Sequence, residues 1–319
     1  MHKPNPTLYL APLKGLTDAI FRETFTRHFK GMDLAIAPFI SPQKTSNYPD
    51  NMLQDVLPEK NPNLPVIPQI LQTDAESFIV LANRLAELGY QEVNWNLGCP
   101  APMVAKKKRG CGLLPYPETI LDLLNQILPR INVKLSIKTR LGYREDGELI
   151  HLLPQLDQLP LTEIIIHPRL GSQLYRGLAD PESFSRCMEV TRHRLVYNGD
   201  IVDSTTYSRL ALRFPEVKRW MIGRGLLCNP FLAEEIRSLS NSAEEDRNKR
   251  LLAFHEELFH RYEERLDGPG HLLGRMKPIW IYLINSFPEQ KKLLKKVLRC
   301  KSVPVYLETV ERIFAGRKQ

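Results

Sequence analysis

From about residue 8 to residue 239, short runs of apolar and β-branched residues alternate with longer amphipathic stretches, the pattern of repeated βα units around a parallel sheet. Eight runs read as strands: 8–12, 34–40, 66–71, 92–96, 135–139, 163–167, 194–198 and 219–222. Helical spacing of apolar positions appears between several of them, at 75–88 and 117–127 for example. Eight such units predict an α/β fold, a closed (β/α)8 TIM barrel. After the polar stretch Asn241-Ser242-Ala243-Glu244-Glu245-Asp246, which reads as a linker, the pattern turns helical and holds no strand-like run. The expected organisation is a barrel over 1–240 followed by a small C-terminal helical domain over 243–319.

A barrel of this kind assembles its active site from residues at the C-terminal ends of its strands and in the loops beyond them. Those ends read Ala11-Pro12-Leu13-Lys14-Gly15, Gln69, Asn96-Leu97-Gly98-Cys99-Pro100, Lys138-Thr139-Arg140, His167-Pro168-Arg169, Asn198-Gly199-Asp200 and Gly223-Arg224-Gly225. A barrel without catalytic function also carries turn glycines there. It does not need a Lys, a His, an Asn and a Gln closing otherwise apolar strands.

The composition is ordinary for a globular chain: 319 residues, 43% hydrophobic and 25% charged. No stretch approaches the roughly 18 uninterrupted apolar residues of a membrane span, and the N-terminus lacks the apolar region of a signal peptide, so a cytoplasmic protein is expected. Five scattered cysteines without a CxxC or Cys/His run argue against a disulfide framework or a bound metal. The net charge is +8, and residues 243–319 hold 16 Lys+Arg against 11 Asp+Glu. Lys291, Lys292, Lys295, Lys296 and Arg299 are placed by helical spacing on one face, opposite Leu293, Leu294, Val297 and Leu298. A solvated face is the ordinary reading; beside a catalytic barrel it also suits a polyanion such as RNA.

Three features carry chemistry. Gly223-Arg224-Gly225 follows a strand, as phosphate-binding turns do after the last two strands of many barrels, and Asn198-Gly199-Asp200 on the preceding strand would form the other half of the cradle. Lys138, by strand alternation, faces the barrel mouth, where a cation can stabilise negative charge on a reduced flavin ring; His167 is open to the same role or to that of a satisfied core histidine. Cys99 lies in a glycine-then-proline loop at the mouth. A thiol with a pKa near 8.5 is protonated at neutral pH yet gives up its proton readily, which suits a general acid.

In order and across the whole barrel, these motifs resemble those of the tRNA-dihydrouridine synthases. The run Arg275-Met276-Lys277-Pro278-Ile279-Trp280, followed by Tyr282-Leu283, is similar to that family's helical tRNA-binding domain and leans toward the branch acting on D-loop uridine 16. The resemblance implies FMN at the barrel mouth, contacted by Pro12, Leu13 and Lys14 through the backbone and by Gln69, Lys138 and His167 around the ring. Asn198, Gly199, Asp200, Gly223 and Arg224 would lie at its phosphate. It also implies NADPH, or NADH, as a transient reductant, Cys99 as proton donor, and a monomer that binds tRNA through Lys106, Lys107, Arg275, Lys277 and Lys295. Cys111 stands where the family usually has a small residue and is expected to be a packing substitution. The alternatives are a dihydroorotate or dihydropyrimidine dehydrogenase acting on a small pyrimidine, and a catalytically silent RNA-binding relative.

Overall fold

The computed structural model describes residues 5–42, 47–239 and 243–316. Among these residues nine parallel strands run β1 Thr7–Leu10, β2 Leu34–Ile36, β3 Val66–Ile67, β4 Gln69–Ile70, β5 Glu92–Leu97, β6 Lys134–Gly142, β7 Leu161–Leu170, β8 Leu195–Tyr197 and β9 Arg219–Ile222. Their order is β3-β2-β1-β9-β8-β7-β6-β5-β4, so the two ends of the sheet are consecutive in the chain. The third expected strand is split at Pro68, which has no N–H to give a ladder. Its first half pairs with β2 and its second with β5, which closes eight barrel positions with nine segments. Observed β9 coincides with the run expected at 219–222, while β6 and β7 extend several residues beyond the expected 135–139 and 163–167.

The helices begin where chemistry directs them. Asp18, Asp74, Asp180 and Asp203 each cap a following helix by accepting a backbone N–H two or three residues on, satisfying donors that otherwise have no partner. Outward strand residues such as Val93, Trp95, Ile137, Ile164 and Trp220 pack against these helices in the main core.

Inside the barrel the two sides differ. Tyr9, Ala11, Ile36, Ile165, Val196 and Met221 form an apolar cluster from β1, β2 and β7 to β9. The lower inward positions of β4 to β6, Gln69, Asn94, Asn96 and Ser136, are amides and a hydroxyl. Asn94 Nδ2 donates to Ser136 Oγ (2.9 Å), Gln69 Nε2 to Asn94 Oδ1 (2.7 Å) and Asn96 Nδ2 to Gln69 Oε1 (2.7 Å). A buried polar chain is tolerated when its members partner one another.

The part of the expected linker at residues 240–242 lies outside the described residues. Helix Glu244–Arg265 starts within the rest of it, so the acidic residues expected in a linker open a helix, where negative charge is favoured. This helix docks on helix Ala19–His28: Phe254 stands edge-on to Phe21, Phe25 and Phe29 at 5.9, 6.2 and 5.2 Å, and Tyr262 Oη donates to Asp18 Oδ1 at 2.7 Å. Helices Pro269–Leu283, Leu294–Arg299 and Val303–Ala315 complete the region around Trp280, Tyr306 and Phe314. The lysine-rich run departs from the single amphipathic helix expected. Residues Pro288–Leu293 are a 3₁₀ helix and only Leu294–Arg299 is α-helical. All five cations, Lys291, Lys292, Lys295, Lys296 and Arg299, are nevertheless exposed, with Val297 buried and Leu293 and Leu294 half-buried between them. Leu298, expected on the apolar side, is exposed, and Lys296 reaches Glu308 at 3.5 Å.

Candidate active site at the barrel mouth

The C-terminal ends of the strands surround a cavity of about 340 Å³. Pro12 and Leu13 line it beyond β1, Lys138 at β6 and His167 at β7. Asn198, Gly199 and Asp200 line it after β8, and Gly223 and Arg224 after β9. Nine of the expected cofactor residues are therefore brought together. Two are not among the lining residues: Lys14, whose expected contact is through its backbone and whose side chain lies at Phe39, with Nζ 3.4 Å from the carbonyl and 5.0 Å from the ring centre, and Gln69, which is buried within the interior amide chain.

That amide chain reaches Cys99. Asn96 Oδ1 accepts the N–H groups of Gly98 (3.1 Å) and Cys99 (2.8 Å), while the Cys99 carbonyl accepts the N–H of Cys111 at 3.2 Å and lies 3.3 Å from the Cys111 sulfur. Gly110 between them has φ +56°, and a β-carbon there would sit 2.6 Å from the Cys99 carbonyl oxygen. The peptide of Cys99 is thus held on both sides. Burial pushes its thiol pKa up, and the Ala101 N–H with Arg140, Lys138 and Lys14 pulls it part of the way back. The thiol is protonated at neutral pH, in surroundings that stabilise the thiolate left once its proton is given away. Burial pushes the Cys111 thiol up to about 12.

Lys138 is stripped of water: burial and the neighbouring Arg140 lower its pKa to about 7. Burial and four cations hold His167 well below the ordinary imidazole range, so it is neutral. Arg169 Nη1 lies 2.9 Å from His167 Nε2. A guanidinium can only donate, which assigns the lone pair to Nε2 and the proton to Nδ1.

Asp200 organises the other end. Its carboxylate accepts from Arg169 (2.9 and 2.5 Å), from Arg224 (3.0 Å) and from the Ala179 N–H (2.9 Å). Burial pushes its pKa up, but these bonds outweigh burial and lower it. The carboxylate is occupied by cations and would repel an anion, so a phosphate cradle at Asn198-Gly199-Asp200 would be formed by backbone groups of the turn, with Arg224. Tyr175 lies between two guanidiniums, Arg224 at 4.8 Å and Arg140 at 5.2 Å from its ring centre. The wall is completed by Cys228 and by Tyr282, which comes from helix Pro269–Leu283 of the C-terminal region.

Sequence reasoning did not single out Asn96, Arg140, Arg169, Tyr175 or Tyr282 as site residues. For Arg140 and Arg169 strand alternation was a usable signal, since each stands two positions beyond Lys138 or His167 and faces the same way. Of the expected RNA contacts, Lys106, Lys107 and Lys295 are exposed. Arg275 sits 3.7 Å from Asp18, and the Lys277 ammonium donates to the Cys300 carbonyl.

A cation-rich cavity of neutral His, poised Lys and glycine turns at the C-terminal mouth defines a barrel enzyme built for an anionic ligand. Solved structures agree on the fold: morphinone reductase in complex with tetrahydroNAD superposes with a TM-score of 0.54 at 11% identity, covering 76% of this chain and 90% of that one. Histamine dehydrogenase from Rhizobium sp. 4-9 gives 0.56 at 10% identity, covering 73% and 46%. The family model described as dihydrouridine synthase matches residues 9–311. The tRNA-dihydrouridine synthase B of Vibrio vulnificus is 30% identical over 232 residues, 72% of this chain and 70% of its own length. A probable tRNA-dihydrouridine synthase of Staphylococcus epidermidis is 27% identical over 325 residues, 99% and 97% of the two chains. The chain belongs to the tRNA-dihydrouridine synthase family, and with it to the oxidoreductases.

Proposed function

We propose that this enzyme binds FMN in the mouth cavity, takes electrons from NADPH or NADH, and reduces the C5–C6 double bond of a D-loop uridine in tRNA. The uridine at position 16 is the site we favour, and the protein acts as a cytoplasmic monomer. The observation that carries the reading is the family match over nearly the whole chain together with a protonated Cys99 beside Lys138.

The residues fit a flavin mononucleotide. At one end the Lys138 ammonium and the His167 Nδ1–H have no acceptor among the described residues. At the other, Arg224 and the glycine turns at Gly199 and Gly223 face the same space. Bound there, the flavin supplies hydride for C6 of the uracil. The chain does the rest. Lys138 and the His167 N–H meet negative charge on the ring, Arg224 meets the phosphate, and Cys99 gives its proton to C5. The Ala101 N–H and the cations of Arg140 and Lys138 stabilise the resulting thiolate. A base in folded tRNA must leave its stack to reach such a cavity. We assign residues 1–240 as the catalytic unit and 243–319 as the tRNA-binding unit, with the exposed Lys106, Lys107 and Lys295, and Arg275 and Lys277 beside them, on phosphates.

The test incubates wild type and Cys99→Ala with NADPH and tRNA lacking dihydrouridine, then maps the product by mass spectrometry of nuclease fragments. Dihydrouridine at position 16 from wild type alone, with flavin bound by both proteins, is the expected result. No product from flavin-loaded wild type, with turnover of a free pyrimidine instead, overturns the tRNA assignment.

A further inference from the structure

The two most exposed large apolar side chains among the described residues are Leu178, 82% exposed, and Met103, 80% exposed. Isolated surface leucines are common and mean little; the position of these two is what matters. Met103 follows β5, four residues beyond Cys99, and Leu178 follows β7, beyond His167 and Arg169. β5 and β7 are the two neighbours of β6, the strand of Lys138 and Arg140. The two loops also touch, because a β-carbon on Gly171 would lie 2.5 Å from the Cys111 sulfur.

Both loops are fixed by bonds that leave these side chains outside. On one side of Leu178 the Gly177 carbonyl accepts from Arg169 Nη2 at 2.8 Å; on the other the Ala179 N–H donates to Asp200 at 2.9 Å. Gly177 has φ +67° and Leu174, unusually for a leucine, φ +54°, so the loop holds a conformation that costs free energy. Met103 sits on the short helix Pro102–Ala105, whose turn is closed by the Val104 and Ala105 N–H groups on the Ala101 carbonyl, at 2.8 and 2.9 Å. The exposed cations Lys106 and Lys107 follow directly, and Arg176 stands two residues before Leu178. An apolar tip among cations on a rigid loop is complementary to nucleic acid, whose phosphates meet the charges while an apolar side chain covers an unstacked base face.

We infer that Met103 and Leu178 are wedges flanking the mouth, which pack on the nucleotides either side of the extruded uridine and hold its place in the tRNA open. The inference rests on the proposed reaction with tRNA and adds the surface that prepares the substrate.

The experiment compares wild type with Met103→Ser, Leu178→Ser and the double variant, with Met103→Leu and Leu178→Met as conservative controls. Flavin content and the rate of flavin reduction by NADPH stay at wild-type values in all of them, because neither residue lines the cavity. On folded tRNA, the serine variants lose about ten- to one-hundred-fold in dihydrouridine formation, mostly in kcat, with tRNA Kd changed less than about threefold. The conservative variants recover most of the rate. On a short unstructured uridine-containing oligonucleotide, wild type and serine variants react alike. Serine variants as fast as wild type on folded tRNA overturn the inference. An equal loss on the oligonucleotide also overturns it, by placing the damage in the cavity. Failure of the underlying reaction is separate and visible first, as wild type that forms no dihydrouridine on either substrate.

Discussion

The barrel carries an arginine–carboxylate cluster at each end, and the two are built differently. At the N-terminal end Glu163 accepts from Arg219 at 2.6 Å and from Tyr9 Oη at 3.1 Å. One cation faces a buried carboxylate, whose pKa burial and the neighbouring Glu92 push up despite Arg219. At the C-terminal end Asp200 serves two guanidiniums, with Arg140 and Lys138 close by and, among the described residues, no second carboxylate lining the cavity. The lower cluster sets one guanidinium against Glu163 with Glu92 near by, has no cation to spare, and closes the barrel. The upper one has cations to spare, and an excess of one sign in a cavity calls for a ligand of the other.

The sharpest way to break this contrast is at the reacting group beside the surplus cations. Cys99→Ala is expected to lower dihydrouridine formation by about 100-fold or more while flavin absorbance is retained, read by nuclease mapping and visible spectra. Next, Asp200→Ala frees Arg169, Arg224 and the Ala179 loop at once. Flavin Kd rises by about ten- to one-hundred-fold in a fluorescence titration.

The third prediction concerns pH. With its pKa lowered to about 7, Lys138 is charged below that pH and neutral above it in the empty site. An anionic ligand that needs the cation must restore the proton. Flavin Kd therefore rises with pH above about 7, approaching tenfold per unit, with proton uptake seen calorimetrically in buffers of different ionisation enthalpy; Lys138→Met removes the slope. The linkage for folding has the matching sign. The folded pKa lies below the unfolded one, so the ligand-free protein gains stability as pH rises from about 7 toward the ordinary lysine range.

The smallest effect belongs to the lower cluster. Glu163→Gln keeps the shape and leaves Arg219 without a counter-charge. Arg219 is a third exposed, so solvent reduces the loss to about 1–2 kcal/mol in denaturant unfolding, with kcat unchanged. A fall in kcat would show that the two ends are coupled.

Much of this arrangement was open to reading from the chain. Strand alternation and one-sided polar ends placed Lys138, His167, Asn198 and Gly223 around a common mouth, because in a parallel barrel all strands finish on the same face. What escaped reading depends on pairings between distant positions. Asp200 meets Arg169 and Arg224 through side-chain rotamers, which no spacing rule encodes. The amide chain from Ser136 to Cys99 needs the register of three strands. At 291–299 the division into exposed cations and an apolar side was legible apart from Leu298, whereas the 3₁₀ start at Pro288 was not, because both helix types give nearly the same spacing over so short a run.

Tyr282 completes the cavity wall from outside the barrel, and the next turn is stitched to the same place, with Ser286 Oγ donating to the Cys228 carbonyl at 2.8 Å and Asn285 Nδ2 lying 3.6 Å from its sulfur. A chromophore seated against that wall becomes a gauge of assembly. Its band shape and fluorescence report whether the helical quarter of the chain has docked, and anything that pries the two parts open is expected to show as a change in fluorescence.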